Sequence, residues 1–176
     1  MKTNCKKILK MSILLVSSLL IATASASYYR YLCIQGTVSI SAGGLAFVKG
    51  VELAGTVNIV GSTADIALSL NNGTTNDITN HLYLKNLDAE KSYDVTINIT
   101  DDANSSYYST FEVKIYDNST GNPIASLNAL SKGDSSGLKT IAGGGVWHIT
   151  FYIVTLSTAE VSNDTFALQF TYEDHS

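Results

Sequence analysis

Apolar and polar residues alternate strictly over several stretches of this chain. Tyr93, Val95, Ile97 and Ile99 alternate with Asp94, Thr96, Asn98 and Thr100. Phe111, Val113 and Ile115 alternate with Glu112, Lys114 and Tyr116, and Phe166, Leu168, Phe170 and Tyr172 with Ala167, Gln169 and Thr171. A period of two puts one parity on a buried face and the other in water, the pattern of a β-strand with one wet side. Residues 146–155 are apolar on both parities, with Trp147, Ile149, Phe151 and Ile153 opposed to Val146, Tyr152 and Val154. That predicts a central strand covered on both faces. Further strands are predicted at 51–60, 63–70, 81–87 and 123–130. In the last of these Ile124, Leu127 and Leu130 also fit a short helix. Between the strands lie turn clusters at Asn71-Asn72-Gly73, 101–104, 117–122, 133–137 and Gly143-Gly144-Gly145. About eight antiparallel strands with no helical period predict an all-β fold, a jelly-roll or Ig-like β-sandwich.

The first residues follow another pattern. Lys2, Lys6, Lys7 and Lys10 precede an apolar run from Met11 to Thr23, and Ala24-Ser25-Ala26 follows as an Ala-x-Ala cleavage site. Basic, apolar and small-residue regions in that order predict a secretory signal peptide over residues 1–26. The apolar run is 13 residues long. A membrane span needs roughly 20, so the segment reads as removed rather than as a retained anchor.

Cleavage changes the charge and cysteine arithmetic. Four of 11 basic residues leave and all 15 acids stay, so the remaining balance is 7 minus 15, or −8. A nucleic-acid binder needs a basic stripe, and that class is excluded. Cys5 leaves as well, and Cys33 alone remains. A disulfide framework and a Cys-rich zinc site are excluded too. With Leu32 and Ile34 beside it, Cys33 reads as a small buried apolar residue rather than a thiol that pairs with another chain.

Residues 27–42 read as one long strand. Leu32, Ile34, Gly36, Val38 and Ile40 share one parity; Tyr29, Tyr31, Cys33, Gln35, Thr37 and Ser39 share the other. The strand ends at Gly43-Gly44, a pair free to take left-handed φ and to act as a hinge. A terminal strand on a hinge either closes its own sheet or adds to a neighbour's, where main-chain hydrogen bonds and side-chain pockets act together. The expected organisation is therefore a detachable strand at 27–42 and a β-sandwich domain at 43–176.

No catalytic constellation assembles from the sequence. His81, His148 and His175 share no metal-ligand spacing, and His148 reads as an ordinary strand histidine. The one Gly-x-Ser-x-Gly match, Gly133-Asp134-Ser135-Ser136-Gly137, lies in a turn cluster with no helical period after it, so it is no nucleophile elbow. Gly143-Gly144-Gly145 leads into a strand rather than a helix, so it is no phosphate cradle. Asp101-Asp102-Ala103-Asn104 and Asp117-Asn118-Ser119 carry oxygens suited to Ca²⁺, yet both read first as Asx-rich turns. No metal, no cofactor and no enzymatic activity is expected.

Residues 27–176 contain 17 Ser, 16 Thr and 12 Asn but only 22 charged residues, so solubility must come from hydroxyls, amides or sugar. Five Asn-x-Ser/Thr sequons are present, at Asn72, Asn98, Asn104, Asn118 and Asn163. Four fall in or beside predicted turns, and Asn98 has the outward parity of its strand, so all five are N-glycosylation candidates.

The order of these segments carries a resemblance. A signal peptide and a short N-terminal strand are followed by a strand ending near Asp65-Ile66. The pair Leu82–Leu87 and Tyr93–Ile99 comes next, then Phe111–Tyr116, a Gly-led strand Gly143–Val154, and a last strand Phe166–Tyr172 behind a polar turn bearing Asn163. This resembles the camelysin/TasA family of biofilm-matrix fibre subunits and their archaeal relatives, the bundling pilins. The low charge and the sequons are closer to the archaeal members. The resemblance implies a jelly-roll that polymerises head-to-tail by donor-strand complementation. The N-terminal strand of one subunit, residues 28–41 with Leu32, Ile34, Gly36, Val38 and Ile40 facing inward, fills an apolar groove in the next. It also implies a secreted surface filament, a homopolymer with possible lateral bundling and no membrane contact after cleavage. The alternative is a monomeric secreted adhesion or carbohydrate-binding sandwich that uses Tyr107, Tyr108 or Tyr116 and closes its sheet with its own first strand. A secreted hydrolase or hydrolase inhibitor would need a clustered His/Asp/Glu set.

Overall fold

The computed structural model describes residues 31–40, 44–51, 55–158 and 163–175. The signal-peptide reading of residues 1–26 and the first residues of the predicted donor strand, 27–30, lie outside them. Eleven strands run through the described residues. They are β1 (Tyr31–Ile40), β2 (Leu45–Lys49), β3 (Gly55–Val60), β4 (Thr63–Asn71), β5 (Thr75–Asn86), β6 (Tyr93–Asp101), β7 (Tyr108–Asp117), β8 (Pro123–Asn128), β9 (Ser135–Ile141), β10 (Val146–Thr155) and β11 (Asn163–Asp174). No helix occurs among the described residues, and 123–128 is a strand.

The strands form two sheets. One has six strands in the order β3-β4-β1-β11-β6-β9; the other has five in the order β2-β5-β10-β7-β8. The sheets bury their facing sides in one core. Ile34, Val38, Ile66, Leu68, Val95, Ile97, Leu168 and Phe170 come from the first sheet, and Leu82, Leu84, Phe111, Val113, Ile149, Phe151 and Ile153 from the second. Rings interlock across the gap. Phe47 meets Phe170 edge-on at 5.6 Å, and Phe166 meets Phe111 at 4.9 Å and Phe151 at 5.9 Å between centroids. Offset or edge-on aromatic pairs of this kind add to the area they bury. The chain is an all-β sandwich.

Beyond the nine stretches read as strands, 27–42 included, the structure adds two short edge strands, β2 and β9, which carry little alternation. β9 begins inside the expected turn at 133–137, where Gly133 and Gly137 take left-handed φ. β10 is central in its sheet, as expected, but only its inward parity is fully enclosed. On the outward parity Val146, His148, Tyr152 and Val154 are half-buried. Their apolar character is answered by neighbours on the same face instead of a third layer. His148 stacks on Tyr116 at 5.1 Å and meets Tyr83 edge-on, and the Lys114 ammonium lies 4.5 Å above the Tyr152 ring. Among the described residues the His148 Nδ1 is enclosed with no hydrogen-bond partner, so this histidine is held by ring packing.

Gly36 shows how tightly the first strand is fitted. It lies opposite Phe166 on one side and Ile66 on the other, and a Cβ there would overlap the Phe166 ring. A side chain at this point must displace an aromatic that is locked against the second sheet. Gly36→Val should therefore cost roughly 1–3 kcal/mol through overpacking. Thr37→Ser, one residue away on the exposed parity, should stay within about 0.5 kcal/mol of the parent. Urea denaturation of the two variants measures both, and equal losses would mean that the inward face has been assigned wrongly.

Candidate functional site

The feature with functional potential is the place of β1. It lies inside its sheet, antiparallel to β4 and parallel to β11. Among the described residues every other strand pairing is antiparallel. The inward parity is the one read from the sequence. Ile34, Gly36, Val38 and Ile40 are buried, while Gln35 and Thr37 are exposed. The side chains of Leu32 and Cys33 lie outside the described residues, so neither reading of Cys33 is decided. Ile34 stands opposite Leu68, Val38 opposite the small Ala64 and Leu168, and Ile40 opposite Phe170. In the chain taken singly, then, β1 closes its own sheet.

Gly44 departs from expectation. Gly43 is outside the described residues, and Gly44 does not take left-handed φ. Its missing Cβ serves close approach instead, because the space is filled by the Tyr93 hydroxyl and ring. Its carbonyl accepts a 2.8 Å hydrogen bond from the Leu87 amide. The Tyr172 hydroxyl also bonds the Gly44 backbone, and Tyr172 packs edge-on against Tyr93 at 5.1 Å. Burial pushes the Tyr172 hydroxyl above its ordinary value, and the bond to Gly44 acts in the opposite sense. Gly44 is thus held by its own contacts rather than free to swivel.

The sandwich has two ends, which the registers define. At the Tyr31 end, Tyr31 faces Asn71 and Cys33 faces Asn163. The Asn104 amide donates to Asp164 at 2.9 Å, and the Leu156 amide to the Tyr107 carbonyl at 2.8 Å. The Thr155 hydroxyl donates to the Asn71 carbonyl at 2.6 Å. Three sequons, Asn72, Asn104 and Asn163, therefore gather at this end. Asn104 and Asn163 are exposed and Asn72 is half-buried. Asn118 is exposed at the opposite end, where its amide bonds the Val146 carbonyl, and Asn98 is half-buried on the outer face of β6.

The Gly44 end is fastened by polar contacts. The buried Asn86 side chain donates to the Lys91 and Ala142 carbonyls at 2.7 and 2.9 Å and accepts from the Asp88 amide. The C-terminal His175 places Nδ1 2.8 Å from both Asp94 oxygens, and Lys91 pairs with Asp174 at 3.2 Å. The Thr140 hydroxyl donates to Asp94 at 2.6 Å, and this bond, with His175 second, holds the Asp94 carboxyl below its ordinary range.

The other sequence candidates do not converge. Tyr108 is buried and edge-on to Tyr107 at the Tyr31 end, whereas Tyr116 is at the far end of β7 against His148, so the three tyrosines form no common surface. Asp117 Oδ1 takes up the Ser119 amide and hydroxyl and the Thr120 amide, and Asn104 Oδ1 takes the Ser106 amide, so both are occupied as Asx turns. Among the described residues no group of three or more His, Cys, Asp or Glu is placed to hold a metal. His148 is on β10 of the second sheet, whereas His175 lies just past the end of β11 of the first; the His81 side chain is outside the described residues. Sequence reasoning missed the Phe166 ring over Gly36 and the Gly44–Tyr93–Tyr172 anchor, which are contacts between residues far apart in the chain.

Two expectations follow. A carboxyl depressed by native contacts contributes stability above its unfolded pKa and loses it as pH falls. Asp94→Asn should therefore lower the denaturation midpoint above about pH 4, with the gap to the parent closing toward about pH 2. A constant gap across that range would overturn the role of the carboxylate. In material from a glycosylating host, peptide mass analysis should find Asn104, Asn118 and Asn163 occupied ahead of Asn72 and Asn98, because the first three are exposed; the reverse order would contradict it. In comparison with known proteins, the chain matches no protein-family model and no curated protein.

Proposed function

We propose that this chain is a non-enzymatic, secreted subunit of an extracellular filament that polymerises by donor-strand complementation through β1. The observation that carries the reading is the position of β1. It is the first strand of the described chain, yet it fills an interior slot with all its described inward residues buried, and only three residues join it to the anchored Gly44. Removing it leaves β4 and β11 each with an unpaired edge and the core with an apolar groove. The β1 of a second copy satisfies both. The same reading takes residues 1–26 as a cleaved signal peptide, the sandwich as a jelly-roll, and the sequons as sugar attachment points.

Magnitudes agree with it. Ile34, Val38 and Ile40 at roughly 1.5–3 kcal/mol each supply about 5–9 kcal/mol of burial. That is a large share of the roughly 5–15 kcal/mol by which a domain is stable. An exchanged strand recovers the same contacts, so the choice between closed and exchanged forms falls to the short connection and to protein concentration. Short connections of this kind favour exchange between copies.

One observation favours the second reading, a monomeric secreted adhesion module: in the single chain, β1 occupies its own sheet. The two readings separate on deletion of residues 27–41. The truncated chain should fail to elongate, bind a synthetic peptide of residues 28–41, and gain thermal stability from it. Fibres from the truncated chain, seen by electron microscopy, would defeat the proposal. A full-length chain that stays monomeric at high concentration would establish the second reading in its place.

A further inference from the structure

Where β1 joins the rest of the chain dictates how two copies that share it can be arranged. Resting on the strand-exchange reading above, we infer that subunits contact one another through the Gly44 end of the sandwich, both as donors and as acceptors. The Tyr31 end with its three sequons is left on the outside of the polymer.

The argument is one of reach. In a donor, Gly44 stays fixed to its own body through the Leu87 amide, the Tyr93 ring and the Tyr172 hydroxyl. In the acceptor, a strand in the observed register places Ile40 beside Phe170, with its amide on the Ser62 carbonyl in the β3–β4 turn. Four backbone steps separate Ile40 from Gly44, a span of about 14 Å at full extension. A ten-residue strand such as β1 is itself about 33 Å long. The donor's Gly44 therefore cannot reach the acceptor's Tyr31 end. It must lie close to the Ser62 turn, at the end where the acceptor's own Gly44 is anchored.

Each subunit donates from this end and accepts at it. The two partners still present different surfaces to each other, a donated strand and an open slot, so the contact is heterologous and propagates. The loops that crowd together are those around Gly61-Ser62, Asp88–Ser92 and the His175 tail, held in place by the Lys91–Asp174 and His175–Asp94 contacts. The distribution of sequons agrees for three of the five, whereas Asn118 is exposed at the Gly44 end, on the turn whose Asn118 amide bonds the Val146 carbonyl. Asn72, Asn104 and Asn163 cluster at the end that this geometry leaves free, where attached sugar does not obstruct growth.

The test places bulk at one end or the other. In a Cys33→Ser background, Glu90→Cys and Ser105→Cys each put a single thiol at an exposed position, the first at the Gly44 end and the second at the Tyr31 end. Both unlabelled chains should elongate. Coupling to a polyethylene glycol maleimide should stop elongation at position 90 and spare it at position 105. A long Gly/Ser segment inserted between residues 42 and 43 should relieve the block at position 90. Elongation with position 90 labelled, or its loss with position 105 labelled, overturns the inference while leaving strand exchange intact. If the unlabelled chains do not elongate, or the chain lacking residues 27–41 does, strand exchange itself fails and takes the inference with it.

Discussion

A strand in the interior of a sheet must satisfy two rows of backbone N–H and C=O groups and fill the core beneath them at the same time. For β1 those demands come from β4, β11 and the second sheet together. Ile34, Val38 and Ile40 fill the core, and Gly36 leaves room for a ring that is not its own. Phe166 leans into that room and packs in turn on Phe111 and Phe151 of the facing sheet. The first strand therefore fixes the position of an aromatic that ties both layers. Anything that removes it leaves unpaired backbone and a poorly supported Phe166, and unpaired buried groups are costly.

The remaining edges are managed differently. β8 opens with the chain's single proline, β2 ends in Lys49, and β9 carries Lys139 and a left-handed Gly137. Proline, lysine and irregular backbone all discourage edge-to-edge pairing. β3 has neither a charge nor a proline, but it is only six residues long. The permanent edges are thus short or blocked, while the interior slot is long and apolar. That contrast favours association through the slot over indiscriminate sheet growth. The open face of the second sheet is covered by its own side chains, with His148 stacked on Tyr116 and Lys114 over Tyr152.

Some of this architecture is legible in the sequence because a strand with one buried face writes a period of two. β6, β7 and β11 could be read this way, as could the inward parity of β1. β2 and β9 could not, since five and seven residues at a sheet edge bury too little to impose the pattern. The fullness of β10 on both parities was misleading, because aromatic and β-branched residues also populate an open face where they pack on one another. The sequons are local motifs and visible at once, but their gathering at one end depends on registers between distant strands. The parallel pairing of β1 with β11 is non-local in the same way. So is the use of Gly44, where an expected swivel is a close contact with Tyr93.

That parallel pair joins the first described strand to the last, with Cys33 beside Asn163. This second partner of β1 is thus made 130 residues after it, which at roughly 5–20 residues per second is a delay of about 7–26 s during synthesis. Contacts so distant in sequence also form slowly, because a long loop must close before they reward it. Throughout that interval β1 has β4 on one side and nothing on the other. Its own slot comes into being only when β11 is complete, and at that moment any β1 in the vicinity, from the same chain or another, competes for it on equal chemical terms. The order in which the ribosome delivers the strands therefore makes the closed and the exchanged forms rivals in time, before stability has any say.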